Sequence, residues 1–542
     1  MALAIALSLA LGPASHAQTA TPKAQRLNLP SLGDADTDAM PVALERRYGE
    51  QIMRQLMRQP NYLDDPILLA YVHRLWQPLL ASAKARGDLG PELEDTLSWR
   101  PFLVRERSVN AFALPGGHVG IHLGLIAMTG SPDELAAVLA HELTHITQRH
   151  IARGLTQANR QGKLALATTL LGVLAAAAGG GDQLAQAAIV GGQAAAMQTQ
   201  LSFSRDMERE ADRIGEGVFR QAGFDPLGMA GMFEELDRAH RLNDSGAYPY
   251  LRTHPLTSDR LAEARARLPS LTATSARAQP TLLHGLMVGR ARALMATDTD
   301  AQDQALQQAR IWLPPRAQPA DESSRFQAAA RLSAGAWAAA RSGDAGTMQA
   351  CLDALEALIE PAHPNPAPNA NTQAERAVIQ LLRLELPMRM GVSRRMDPVM
   401  TPASAAAGPD SAWPRATLWL RAEQLWRQGK PGLEPSGVVA WQGIAQALQT
   451  WLSANPSDGL LWDALARIHT GLGQTPRAQR ARAEALVAQG DVDAALLQLR
   501  QAQSATRAAQ GTDLIEASVI DARVRQLETL RQRWADDLRS LR

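Results

Sequence analysis

The sequence has few of the residues on which several classes of protein depend. Cys351 is the only cysteine among 542 residues, which excludes an internal disulfide, a cysteine-based zinc knuckle and an iron–sulfur cluster. Any bound metal ion would therefore need histidine and carboxylate ligands. Aromatic residues make up 4% of the chain, and 55 Lys and Arg against 54 Asp and Glu leave a formal charge of +1. This balance gives no reason to expect a nucleic-acid partner.

Long apolar runs are also missing, since no stretch approaches the roughly 20 consecutive apolar residues of a transmembrane helix. A membrane-embedded protein is therefore disfavoured. The apolar run Ala2–Leu11, followed by small residues at Ser15 and Ala17, predicts an export signal over residues 1–17, although no basic residue precedes it. An N-terminal anchor or a buried helix remains the alternative. The uncharged run Leu164–Ala178 indicates either a buried or capping helical hairpin, or an element that dips into a membrane surface or gates access of a substrate.

Two halves of the chain differ in pattern. Residues 40–270 combine amphipathic helices with a strand–turn–strand segment over 99–129, where Asn110–Gly117 supplies the turn. Beyond residue 281 the chain consists of paired helical segments broken by Gly-Asp, Gly-Gln or Pro. Repeat spacings near 34 residues favour tetratricopeptide-type pairs, with generic helical hairpins as the alternative.

The chemistry is carried by the pentapeptide His141-Glu142-Leu143-Thr144-His145. Ser131 is a suitable N-cap for a helix that the pattern predicts over Pro132–Gly154. Four residues at about 100° each place both imidazoles on one face, one turn apart, where they can bind one zinc ion. Glu142 would then lie beside the open coordination position as a general base for an attacking water.

A third protein ligand is expected from the segment Ser204–Asp212, on a second predicted helix. Glu208 and Asp212 are four residues apart and share one face, so we assign Glu208 as the ligand and Asp212 as the acceptor of a free ring N–H from a ligating histidine. The alternative is an exposed charged helix with Glu–Arg pairs. His150 should lie roughly 140° from the face of His145, and it is expected, with His118 and His122, to be structural.

The segments His141–His145, Ser204–Asp212, Asn110–Gly117 and Thr253–Pro255 together resemble the HtpX-like and CAAX-prenyl-endopeptidase superfamily of zinc metallopeptidases. An exported protease domain followed by helical repeats resembles, more specifically, the periplasmic β-barrel assembly-enhancing protease family. The expected fold is mainly α. A zincin-like metallopeptidase domain with a small β-sheet would occupy residues 40–270, and an α-helical tetratricopeptide-type repeat domain would occupy residues 281–542.

The resemblance also implies roles for single residues. His141, His145 and Glu208 carry over as ligands of one Zn²⁺ per chain, with Glu142 as the base. His254 carries over as a switch that can take the fourth zinc position or help stabilise the oxyanion. From the residues alone, a histidine before proline is more often a turn residue, so both interpretations stay open.

Asn110, Ala111 and Phe112 resemble the start of an edge strand that would hold an extended peptide by backbone pairing. An ordinary sheet edge is the alternative interpretation of these residues.

As a function, the resemblance implies a periplasmic zinc-dependent endopeptidase that degrades misfolded or misassembled outer-membrane β-barrel proteins and assists their assembly. It also implies association with the barrel-assembly machinery. The alternative, from a different class, is a chaperone or assembly scaffold whose protease site is vestigial or seldom active.

Overall fold

A computed structural model describes residues 40–160, 204–242, 249–267, 278–313, 319, 321–359, 370–391, 413–429, 435–508 and 514–540. These residues belong to one packed unit. The predicted export signal over 1–17 and the uncharged run Leu164–Ala178 lie outside them.

Helices make up most of the described chain, which confirms the prediction of a mainly α fold. They are α1 Val42–Leu56, α2 Pro66–Arg86, α3 Pro91–Thr96, α4 Leu123–Met128, α5 Pro132–Thr147, α6 His150–Arg160, α7 Arg205–Gln221, α8 Leu227–Leu242, α9 Pro249–Thr253, α10 Ser258–Ala266, α11 Leu282–Met295, α12 Thr299–Arg310, α13 Glu322–Ser342, α14 Ala345–Ala357, α15 Ala370–Arg389, α16 Pro414–Gln428, α17 Pro435–Ala454, α18 Gly459–Gly471, α19 Thr475–Ala488, α20 Val492–Ala508 and α21 Leu514–Ser540. None of these described helices combines the length and the apolar character needed to span a membrane.

The predicted small sheet is present and has four strands in the described residues. They are β1 Tyr62–Leu63, β2 Arg100–Val104, β3 Ala111–Leu114 and β4 His118–His122. The spatial order is β1-β2-β4-β3, with β2 and β4 parallel and the other pairs antiparallel. Gly116 and Gly117 have φ angles of 82° and 86°, so glycine is needed for the tight turn between β3 and β4. This order leaves β3 at one edge of the sheet.

Helix α5 lies in the core and presents the pentapeptide. Its first turn is capped as predicted, because the Ser131 side chain accepts a hydrogen bond from the Glu134 N–H at 3.2 Å. The helix predicted over Pro132–Gly154 is wrong at its far end, since α5 stops at Thr147. Arg149 adopts a left-handed conformation with φ of 54°, and its side chain is held by Glu45 at 3.1 Å. A second helix, α6, then starts at His150.

The helices after residue 281 pack directly against the first half of the chain. Buried His284 on α11 contacts the Tyr71 hydroxyl on α2 at 2.6 Å. Arg290 on α11 binds Asp65 and Glu385 through buried ion pairs, each with a closest contact of 2.7 Å. The domain boundary between residues 270 and 281, and the assignment of tetratricopeptide repeats, remain predictions.

Candidate metal centre

The two histidines of the pentapeptide are buried on one face of α5. His141 and His145 are 2% and 0% exposed, and their Nε2 atoms are 3.0 Å apart. This is the arrangement expected for imidazoles four residues apart on a helix. Between the two histidines, Glu142 is also completely buried.

Helix α7 adds Glu208 to this pair. The helix starts at the Ser204 cap, where the side chain accepts a hydrogen bond from the Met207 N–H. It crosses α5 at close range, because a Cβ atom on Gly215 would lie only 3.1 Å from the Ala140 carbonyl oxygen. The Glu208 carboxylate then lies 3.4 Å from His141 Nε2 and 3.5 Å from His145 Nε2.

His254 completes the group from the far side. It follows α9 and precedes Pro255, and its Nδ1 atom is 3.0 Å from Glu208 Oε1 and 3.3 Å from His141 Nε2. The Tyr250 ring stacks on the His254 ring with centroids 4.6 Å apart. The structure therefore brings together all four residues for which the sequence analysis predicted a place at the metal.

The chemistry and spacing of these groups fit a single metal ion. One donor atom from each of His141, His145, Glu208 and His254 lies within 4.8 Å of the other three, and the measured contacts are 3.0–3.5 Å. Ligands about 2.0–2.1 Å from a tetrahedral zinc ion would be separated by about 3.3–3.4 Å. Three imidazoles and one carboxylate in a buried site suit a divalent transition metal.

Asp212 lies where the sequence analysis expected it. Its Oδ1 atom is 3.0 Å from His141 Nδ1, the ring nitrogen on the side away from the cluster. Arg260 on α10 was not predicted to take part. Its guanidinium group binds Asp212 at 2.6 Å and Glu208 at 2.8 Å, and all three side chains are buried. The sequence offered only a basic segment near residue 260, with no spacing that links Arg260 to α7.

The charges within the cluster strongly shift the pKa values of its side chains. Burial alone would lower the pKa of His141, but hydrogen bonds from its ring to Asp212 and Glu208 outweigh burial and raise this pKa to about 10. Burial and the positive charge of His141 hold the pKa of His145 well below its ordinary value. Burial opposes ionisation of Glu208, but His254 and His141 outweigh it and hold the pKa of Glu208 well below the ordinary range. The carboxylate of Glu208 is therefore ionised and available to a cation.

Comparison with known proteins agrees with this geometry. Residues 70–268 match peptidase family M48, a span that contains all four cluster residues. This matched segment, residues 70–268, is referred to as the M48 domain. The match supports the prediction of a metallopeptidase, whereas the bounds 40–270 of its domain remain a prediction.

Similar proteins extend the comparison. The chain is 34% identical over 239 residues to the beta-barrel assembly-enhancing proteases of Escherichia coli and Yersinia pestis, and the match covers 44% of this chain and 47% of each relative. It is 34% identical over 232 residues to the mitochondrial metalloendopeptidase OMA1 of Schizosaccharomyces pombe, which covers 42% of this chain and 61% of that relative. The chain thus matches about half the length of its bacterial relatives.

A further histidine contacts the ligand group of the M48 domain. His150 was expected to face away from His145, yet their Nδ1 atoms are 2.9 Å apart and His150 Nε2 is 3.0 Å from Glu210 Oε2. The expectation failed because it assumed one continuous helix through residue 150. The left-handed residue Arg149 turns the chain so that His150 lies beside α5.

The edge strand of the M48 domain contacts the predicted base. The backbone N–H of Ala113 on β3 donates to Glu142 Oε2 at 2.9 Å, while Glu142 Oε1 is buried without a hydrogen bond from the described residues. Asn110 and Ala111 are buried, and the Phe112 ring covers Gly120 on β4. The predicted edge strand is therefore next to the cluster, and its peptide-binding role remains a prediction.

A cavity borders the cluster on the side of α7 and α10. A cavity of about 190 Å³ reaches Glu208 and is lined by Arg260, Pro255 and Thr257 among others. Of the four cluster residues, only Glu208 lines this cavity in the described part of the chain.

Proposed function

We propose that this chain is a zinc-dependent endopeptidase. The observation that carries the proposal is the buried convergence of His141, His145, Glu208 and His254, with the Glu142 carboxylate 3.4 Å from the His254 ring. Zinc suits the donor set because it accepts histidine nitrogen and carboxylate oxygen in a tetrahedral site. His141, His145 and Glu208 are proposed as its three permanent ligands.

Bound zinc would polarise the peptide carbonyl and make water a better nucleophile at neutral pH. Glu142 would accept the proton of the attacking water at Oε1, the carboxylate oxygen that has no hydrogen bond from the described residues. Its other oxygen is held by the Ala113 N–H, so the carboxylate is fixed before substrate arrives. Glu142 would then pass the proton to the amine of the departing peptide.

His254 is proposed to act as a switch. In the structure its Nδ1 atom lies within 3.0–3.3 Å of Glu208 and His141, where a fourth metal ligand would be expected. A histidine bound there would exclude water and substrate and keep the enzyme idle. When displaced, its ring would be near enough to donate a hydrogen bond to the oxyanion of the tetrahedral intermediate.

The proposed substrates are misfolded or misassembled outer-membrane β-barrel proteins in the periplasm. The support is the similarity to proteases whose names state that they enhance barrel assembly. The helical half after residue 281 would present substrates to the M48 domain and contact the barrel-assembly machinery. A second candidate, a chaperone or scaffold with a seldom active site, is favoured by one observation, namely that His254 fills the ligand group.

The test compares wild-type protein with Glu142→Gln. Both proteins should bind one zinc ion per chain by metal analysis, and only wild type should cleave an unfolded β-barrel protein. Glu235→Gln, which alters a carboxylate paired with Arg238 on α8, is the matched control and should cleave normally. The scaffold function would be supported if Glu142→Gln fully complements a strain that has an envelope assembly defect.

A further inference from the structure

A groove rich in arginine lies outside the metal centre, between the end of α11 and the facing surfaces of α12 and α13. This arginine groove has a volume of about 490 Å³, and Arg107, Arg292, Arg331 and Arg341 line it. Among the described residues that line it there is no aspartate or glutamate. The described lining therefore carries four cations and no anion, although the chain as a whole has a formal charge of only +1.

Backbone carbonyl groups hold three of these arginines in place. Arg341 donates to two carbonyls at the end of α11, both at 2.7 Å, and Arg292 donates to a carbonyl at the end of α4 at 3.1 Å. Arg107 donates to the Met295 carbonyl at 3.1 Å and binds the Asp298 carboxylate at 2.6 Å. Carbonyl groups fix the direction of a guanidinium but do not neutralise its charge. The groove therefore keeps most of its positive charge.

The arginines also oppose one another electrostatically. Burial and the positive charge of Arg331 lower the pKa of Arg292. Burial, together with the charges of Arg389 and Arg105, lowers the pKa of Arg341. A bound anion would relieve this repulsion, because each guanidinium could then pair with an opposite charge.

We propose that the arginine groove binds an acidic stretch of an unfolded polypeptide. Guanidinium groups bind carboxylates through paired hydrogen bonds, and Gln302, Gln304 and Gln308 add amides that can pair with a peptide backbone. Alanines such as Ala301 and Ala305 line the same groove and let a backbone approach closely. The choice of a polypeptide as the ligand rests on the proposed peptidase function.

One loop connects this groove with the metal centre. The residues between β2 and β3 include Arg107 at the groove and, two positions later, Val109, whose carbonyl accepts a hydrogen bond from the Tyr250 N–H at 3.3 Å. Tyr250 stacks on His254. A polypeptide held in the arginine groove would therefore lie against the loop that contacts Tyr250, the residue stacked on His254.

Binding can be measured without cleavage in the full-length Glu142→Gln protein. The probes are two fluorescein-labelled peptides of equal length, one alternating Glu and Ala and the other alternating Lys and Ala. Their binding is measured by fluorescence anisotropy. The acidic peptide should bind with an affinity that falls as salt is added, and the basic peptide should not bind. Arg331→Glu should weaken binding by about tenfold or more, the loss expected for one charge-assisted contact.

The matched control is Arg525→Glu, which makes the same charge change at an exposed position on α21. Arg331 makes no hydrogen bond or ion pair with the other described residues, so its substitution should not disturb folding. The proposal would be overturned by equal losses in both variants, by no binding of the acidic peptide, or by binding of only inorganic phosphate or anionic vesicles. Failure of the proposed peptidase function would appear separately, as absence of cleavage by the wild-type protein.

A different observation supports a second inference, about His150 and Glu210. Two Nδ1 atoms 2.9 Å apart need one proton between them. If His145 binds metal through Nε2, its Nδ1–H donates a hydrogen bond to His150 Nδ1. The proton of the neutral His150 ring then sits on Nε2, which donates to Glu210 Oε2 at 3.0 Å. We infer that His150 and Glu210 are positioning residues that set the tautomer and ring orientation of His145.

Metal affinity tests this inference, measured by competition with a chromophoric zinc chelator. His150→Phe and Glu210→Gln should each weaken zinc binding by about 10–100-fold. His73→Gln is the control, because the His73 ring contacts the Leu69 carbonyl of its own helix α2 at 2.8 Å and takes no part in the metal cluster. A merely structural role predicts lower thermal stability of the metal-free protein with unchanged zinc affinity, and that result would overturn the inference.

Discussion

The backbone N–H of Ala113 donates a hydrogen bond to Glu142 Oε2 at 2.9 Å, so the edge of the sheet fixes the orientation of the proposed catalytic base. Replacement by proline removes this N–H and leaves the pairing of β3 with β4 at the same positions, because proline is tolerated on edge strands. We expect Ala113→Pro to lower kcat by roughly tenfold to a hundredfold, with zinc content unchanged. Steady-state cleavage and metal analysis of the same samples check this. An unchanged kcat would mean that the hydrogen bond does not orient Glu142 during the reaction.

Removal of the proposed switch should activate the enzyme. In His254→Ala, the three remaining ligands should keep zinc, and the fourth position should open to water and substrate. We expect faster cleavage of an unfolded test protein, with one zinc ion per chain retained. Unchanged or slower cleavage would count against a restraining role and leave the oxyanion role to be tested by the size of the decrease.

Arg260 should contribute strongly to the stability of the metal-free protein. Arg260→Gln leaves the buried carboxylates of Asp212 and Glu208 without their guanidinium partner, and loss of one partner from such a group costs about 3–5 kcal/mol. Urea unfolding of the metal-free protein should show a decrease of this order. Arg265→Gln, on the same helix but in an exposed pair with Glu234, should change the free energy of unfolding by less than about 1 kcal/mol. Equal effects of the two substitutions would contradict the prediction.

The free energy of unfolding should fall in mild acid because of His284. Burial lowers the pKa of His284 to about 4, whereas the pKa of a histidine in the unfolded chain is about 6.5. Between these values the unfolded chain binds a proton that the folded chain does not, so the free energy of unfolding decreases as pH falls from about 6.5 to 4. The largest slope from this residue would be about 1.4 kcal/mol per pH unit.

Urea unfolding at several pH values in this window should therefore show a shallower slope for His284→Asn than for wild type. Thr129→Val removes a neighbouring hydroxyl, 3.1 Å from His284 Nε2, but keeps the titrating ring. It should lower stability at each pH and keep the wild-type slope. A His284→Asn slope equal to that of wild type would assign the acid sensitivity to other groups.

Gly49 tests the contact between α1 and the turn that follows β3, and Gly443 on α17 serves as its control. A Cβ atom on Gly49 would lie 2.1 Å from the Pro115 carbonyl oxygen, so Gly49→Ala must push α1 away from the backbone of this turn. The substitution should lower the free energy of unfolding by about 1–3 kcal/mol. Gly443 on α17 is exposed and has no atom within 4 Å of an added Cβ. Gly443→Ala should therefore raise the free energy of unfolding by up to about 1 kcal/mol. Opposite signs in thermal or urea unfolding are the expected result.

Features that depend on neighbours a few residues apart were predictable from the sequence. The helical period placed His141 and His145 on one face, the Ser131 cap located the start of α5, and the breaks at Gly343 and Gly473 separated helices in the second half. These features depend on hydrogen bonds and side-chain spacing within one or two helical turns. The sequence by itself also fixed the chemical type of the metal ligands, because only one cysteine is available.

Contacts between elements far apart in the chain were decided by the tertiary structure. The approach of α7 to α5 brings Glu208 to the histidines, and packing of α10 adds Arg260, for which no local pattern existed. The left-handed conformation of Arg149 turned His150 toward His145, against the direction that a continuous helix implies. Periodicity determines which residues share a face of one helix, whereas the distances between separate helices depend on how their side chains pack together.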